Sequence, residues 1–111
     1  MRLTRSLHGL REGRRLREGD SLDEAEYISS QVVKYLEKKL GETAKHILVT
    51  VTYTEDGVEV EVDVDASVLV DDAYLQKVVD EAAELGVCLA DLIKEKGWPL
   101  AENDSEVCWR S

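Results

Sequence analysis

Residues 47–65 read ILVTVTYTEDGVEVEVDVD. Two runs in it alternate with a period of two, the spacing that puts every second side chain on one face of a strand. In the first run Ile47, Val49, Val51 and Tyr53 alternate with Leu48, Thr50, Thr52 and Thr54. In the second, Val58, Val60, Val62 and Val64 alternate with Glu59, Glu61, Asp63 and Asp65. Between them stands Asp56-Gly57, a dipeptide suited to the positive backbone angles of a two-residue hairpin turn. The pattern predicts an antiparallel hairpin turning at Asp56-Gly57. Glu55 is then expected opposite Val58, Tyr53 opposite Val60, Val51 opposite Val62 and Val49 opposite Val64. On the other face Thr54, Thr52 and Thr50 are expected to meet Glu59, Glu61 and Asp63. A slip by one residue would turn the whole valine row to water, so the apolar face protects the pairing.

Helical periodicity flanks the hairpin. Ala25, Ile28, Val32, Leu36 and Leu40 recur at spacings of three and four, with Tyr35 and Val33 beside them. Ser21 and Glu24 have the spacing of a capping box, and Gly41 follows Lys38 and Lys39 as a helix stop, so a helix over 22–40 is expected. After the hairpin, Leu75, Val78, Val79, Ala82, Leu85, Leu89, Leu92 and Ile93 form a second stripe, widened by Tyr74, Val87 and Cys88. Asp71 or Asp72 can cap its start, and Gly97 with Trp98-Pro99 closes it. Gly86 falls inside this helix, where glycine is costly, and marks either a break or a close approach of another backbone.

The chain has 111 residues, which suits one domain with one modest core. Net charge is −10, unevenly placed: six arginines and two glutamates fall within residues 1–19, so the remainder is more acidic than the whole. Such a body repels nucleic acid and anionic membrane, and no apolar run is long enough to span a bilayer. The dense charge, the absence of Phe and the single Asn fit a thermophile. Residues 1–20, MRLTRSLHGLREGRRLREGD, are read as a flexible Arg-rich tail, residues 21–97 as the domain and 98–111 as a second flexible tail. The N-terminal tail is basic but lacks an apolar segment behind it, so no secretory leader is expected. It could be an unstructured extension, an RNA-binding arm or a segment folded back on the body. Trp109 is the residue of the C-terminal tail expected to dock. Cys88 and Cys108 belong to no CxxC pair and lie far from His8 and His46, so two free thiols, no zinc site and a reducing cytoplasm are expected.

The candidate binding residues are the acidic row Glu59, Glu61, Asp63 and Asp65. Successive members stand about 7 Å apart at the strand rise, too far for one cation to draw several of them together tightly. The row can be a solvated face that discourages aggregation, a surface for a basic partner, or a weak Mg²⁺ or Ca²⁺ site. No catalytic serine context, phosphate loop or paired-acid arrangement is present, so no enzymatic activity, no cofactor and no tightly bound metal are expected.

The stretches VTVTYTEDGVEVEVDVD and LQKVVDEAAELGVCLADLI, within Glu24 to Lys96, resemble a small archaeal family of uncharacterised domains encoded near prefoldin and ribosomal genes. The helix–strand–strand–helix order is more distantly similar to the dimerisation subunit of the archaeal KEOPS complex, which acts on tRNA. Where that family's last helix has a Leu-Arg pair and an Asn, this chain has Leu75-Gln76 and Asp80. The lost positive charge argues against tRNA contact and leaves a scaffold role.

The sequence is thus read as an α+β domain, a hairpin with two helices on one face. A two-stranded sheet has two open edges and is rarely stable alone. A second chain is therefore expected at a sheet edge or along the second helix, as a homodimer or as a heterodimer with another small α+β protein. The function expected is a cytoplasmic, non-enzymatic interaction or scaffold domain. The alternatives are a divalent-cation or small-ligand binder using the acidic face, and an RNA-associated protein using residues 1–19.

Overall fold

The structure, a computed structural model, describes residues 2–10, 18–54, 57–97, 100 and 104–109. The chain is α+β, with three antiparallel strands and two helices. In chain order these are β1 (Arg2–Leu10), α1 (Glu18–Leu40), β2 (Ala44–Thr54), β3 (Gly57–Ala66) and α2 (Asp72–Lys96). Short 3₁₀ turns follow at Gly41–Thr43 and Asp104–Val107. The sheet order is β1-β3-β2, with both pairings antiparallel. β1, α1 and β2 therefore make a split βαβ unit, with β3 inserted between its two strands.

The expected hairpin is present, in a register displaced by two. Tyr53 lies opposite Val58, Val51 opposite Val60, Val49 opposite Val62 and Ile47 opposite Val64, while Thr54 pairs with Gly57. Residues 55–56, including the Asp56 of the expected turn, lie outside the described residues. A shift of two preserves the face of every side chain, so the alternation that excludes a one-residue slip is blind to it. Ile47, which the expected register sets opposite Ala66, lies opposite the larger Val64.

Arg2–Leu10 is a strand, where a flexible tail over 1–20 was expected. Its helix-side residues Leu3 and Leu7 meet Val64 and Val60, and both pack against the core. Arg5, the residue between them, disguises the alternation, yet it too lies on this side and pairs with Asp80 of α2 at 3.1 Å. The sheet thus gains its third strand from its own chain. Helix α1 begins at Glu18, so Ser21 lies inside it and not at its cap, and Glu24 is fully buried. Helix α2 starts where expected: Asp71 is its N-cap and accepts from the Ala73 N–H at 3.3 Å. Gly41 and Gly97 follow the two helices at positive φ.

Both helices cover one face of the sheet, α1 over β2 and α2 over β1 and β3, and they pack against each other. The core joins Ile28, Val32 and Leu36 of α1 to the β3 valines and to Leu75, Val79, Leu89 and Ile93 of α2. Tyr74 does not widen the α2 stripe; it is exposed, and its hydroxyl donates to the Lys39 carbonyl at 3.0 Å.

The expected C-terminal tail also has structure. Cys88 and Cys108 are not free thiols but form a disulfide, with Cα atoms 5.7 Å apart. Their separation of 20 residues gives about 3 kcal/mol in the chain-entropy account. The pairing was hidden because neither cysteine carries a local motif and the two meet only in the folded chain. The bond also removes the basis for inferring a reducing compartment. Trp109 donates from Nε1 to Gln31 Oε1 at 3.1 Å and meets the Tyr35 ring edge-on at 5.7 Å. Among the described residues no helix is long and apolar enough to cross a membrane.

Gly86 is a point of close approach within an unbroken helix. A Cβ there would lie 2.7 Å from Val60 Cγ1 and 3.4 Å from Val32 Cγ2. Val60 is fully buried in the central strand and stiff at χ1, so it has little room to yield. Gly86→Ala is expected to lose about 1–2 kcal/mol despite its better helix propensity, because overpacking outweighs the propensity gain. Thermal unfolding of Gly86→Ala, Val60→Ala and the double variant checks this, and the double variant should lose less than the sum of the singles.

Candidate functional site

The face of the sheet away from the helices is built from three strands that contribute different chemistry. The central row is β3's Glu59, Glu61, Asp63 and Asp65. On one side lie Ser6 opposite Glu61, Thr4 opposite Asp63 and Arg2 opposite Asp65. On the other lie Thr52, Thr50, Leu48 and His46, opposite Glu59, Glu61, Asp63 and Asp65 in that order. All four expected site residues thus share one open face. Glu59 and Glu61 are exposed, Asp65 is half-buried and Asp63 is only 6% exposed.

Diagonal contacts from β1 neutralise part of the row. Arg2 Nε donates to both Asp63 oxygens, at 2.9 and 3.2 Å, and its Nη2 donates to Oδ2 as well. Ser6 Oγ donates to Glu59 Oε1 at 2.9 Å. The Arg2 hydrogen bonds hold the Asp63 carboxyl below its usual range, aided by the charge of Arg2, a Thr4 hydrogen bond and His46; burial opposes them. Among the described residues no group of three or more His, Cys, Asp or Glu could hold a metal ion. The reading of the sequence saw the carboxylates but not their partners, because those partners are in a segment it did not assign to the sheet.

The two sheet edges differ. β1 carries Arg2, Arg5 and His8, residues of the kind that blunt an edge. β2 carries no charge and no proline from Ile47 to Thr54, and Leu48 is 51% exposed. No strand lies on its outer side among the described residues, so alternate N–H and C=O groups along it face away from β3. Below this edge runs a shallow groove against α1, floored by Ala25, Ser29 and Ser30 with Glu26 at its rim. Ser29 Oγ donates to the Val49 carbonyl at 3.3 Å. The small side chains leave room beside the strand. Sequence alternation located the strand but could not say which of its edges would be open, since that depended on β1.

The fold is shared. The chain is similar to a protein of known crystal structure from Thermococcus onnurineus NA1, with a TM-score of 0.60 and 24% sequence identity. The match covers 86% of this chain and 90% of that one. At this identity the likeness concerns the fold. No protein-family model matches the sequence, and no curated protein matches it.

Because the folded-state pKa of Asp63 lies below its ordinary value, its contribution to stability is complete above the normal carboxylate range. It is lost as pH falls through the lowered value. Arg2→Gln is expected to move the Asp63 titration back up and to abolish that part of the acid dependence. Carboxyl chemical shifts followed from pH 6 to pH 2, about the span in which an aspartate titrates, check it.

Proposed function

We propose that this chain is a non-enzymatic protein–protein interaction domain of archaeal type that assembles with a second copy through the outer edge of β2. The observation that carries the reading is the length and neutrality of that edge above a groove of small side chains. An edge of this kind pairs with another strand unless something blocks it. A second copy is favoured by charge. The body is strongly acidic, so most contacts between copies would repel, whereas Ile47–Thr54 is an uncharged stretch of its surface. Antiparallel pairing about a two-fold axis near Val49 and Thr50 sets Lys45 of each copy beside the last residues of the other copy's uncharged stretch. Such an interface is self-complementary, as two-fold symmetry requires, and would make one six-stranded sheet.

Assembly through α2 is the weaker form of the reading, because the apolar stripe of α2 is consumed in the core. The alternatives are weaker as well. Arg2 and Ser6 already occupy part of the acidic face, which leaves less of it for a cation. Arg2 and Arg5 are engaged with Asp63 and Asp80, which leaves fewer arginines for RNA. The archaeal neighbour supports the kind of domain through its fold alone.

Light scattering coupled to gel filtration should give twice the chain mass of 12.5 kDa. Thr50→Lys places a charge on an exposed residue at the proposed axis, where it meets its own copy. This variant should elute as a folded monomer with unchanged far-UV circular dichroism. A monomeric parent chain at concentrations on the order of 100 μM would falsify the reading.

A further inference from the structure

The C-terminal segment is fastened to the helical layer by two contacts of unequal kind. One is the covalent Cys88–Cys108 bond. The other is Trp109, with its hydrogen bond to Gln31 and its edge-on contact with Tyr35. Tyr35 is itself anchored, its hydroxyl donating to Glu81 Oε2 at 2.5 Å and the Lys39 ammonium lying 5.8 Å from its ring centre. The segment therefore straps across α1 and α2 above a prepared aromatic platform. Among the described residues beyond Ile93, Cys108 is the one in the buried core, with Leu100 and Trp109 packed against it from outside, whereas the other buried core residues all belong to β3 and the two helices.

The bond is also reachable. A small notch beside it is bounded by Glu81, Glu84, Leu85 and Val107. Cys88 is half-buried on that side, whereas Cys108 is only 6% exposed. A disulfide that knits a core together is sealed within it. This one ties the segment to one helix at the border of the core, with Cys88 half-buried beside the notch.

We propose that Cys88–Cys108 is a redox latch. Oxidised, it holds residues 104–109 over Gln31 and Tyr35; reduced, it frees the strap and opens that face of α1 and α2, while the core stays folded. The reductant is a dithiol. One of its thiolates attacks Cys88 Sγ, the sulfur–sulfur bond breaks, and Cys108 leaves as a thiolate that takes a proton from water. The second thiolate of the reductant then attacks the mixed disulfide and releases Cys88. The protein gains two electrons and two protons, and the dithiol becomes a disulfide. Once the covalent tie is cut, contacts such as the Trp109 hydrogen bond and its ring contact with Tyr35 are left to hold the strap, and these are of the strength that water and thermal motion disrupt. The latch goes beyond the edge-pairing proposal and is tested separately from it, since β2 takes no part.

The test uses the full chain carrying Trp98→Phe, which leaves Trp109 as its one indole. Alkylation with N-ethylmaleimide followed by mass measurement should find no adducts on the untreated chain and two after dithiothreitol. On reduction, Trp109 emission should shift to the red and acrylamide quenching should rise at least twofold, with far-UV circular dichroism unchanged. The Cys88→Ser/Cys108→Ser variant should show the same emission without reductant. Two adducts on the untreated chain would overturn the proposal. So would Trp109 emission that ignores reduction, and so would loss of helical signal together with the strap, which would make the bond a staple of the fold.

Discussion

The structure depends on the burial of one row of valines. Val58, Val60, Val62 and Val64 are all but inaccessible to solvent, and β3, which carries them, is bonded on both sides at the centre of the sheet. Both helices are placed by this row. α2 approaches so closely that only a hydrogen fits at Gly86 above Val60, and α1 contributes Val32 to the same contact. Each valine removed from water contributes roughly 1.5–3 kcal/mol before entropy is counted. The alternate residues of β3 are then forced to the opposite face, and four of them are carboxylates. The architecture thus sets one apolar demand and one electrostatic demand on the two sides of a single strand.

β1 answers the electrostatic demand. On its outer face Arg2 and Ser6 reach diagonally to Asp63 and Glu59 and Thr4 stands opposite Asp63, while Leu3 and Leu7 extend the apolar face beneath. An all-hydrophobic third strand would complete the core equally well but leave the acidic row without counter-charge. β2 answers differently, with Thr50 and Thr52, which neither neutralise nor repel, and with His46 at one end of the row. That is why the acidic face is balanced toward β1, and why the neutral edge lies at β2.

Much of this was legible in the sequence wherever a pattern was local. The period-two runs gave both strands of the hairpin and the sides their residues occupy, and the spacings of three and four gave both helices, including Asp71 as a cap. The acidic row was placed on the outer face correctly. What escaped had two causes. The register moved by two because alternation repeats every two residues and cannot tell such registers apart. β1 was missed because Arg5 interrupts its apolar side, and Arg5 makes sense only once Asp80 stands beside it. The disulfide was missed because its cysteines carry no local motif. These last two rest on contacts between residues separated in the chain. The open edge of β2 was likewise beyond reach until the position of β1 was known.

The pairing of β1 with β3 joins the first residues of the chain to residues more than forty positions later, from Leu10 with Gly57 to Arg2 with Asp65. Its partner strand does not exist when β1 leaves the ribosome. The hairpin of β2 and β3 closes over a short span, but β1 must wait for it, and closing so long a loop is slow. A typical valine-rich edge strand would be hazardous during that wait. This one reads RLTRSLHGL, with two arginines and two hydroxyls among three leucines, and remains compatible with water until its place opens. The polarity that disguises β1 as a tail is thus suited to the order in which the chain is made.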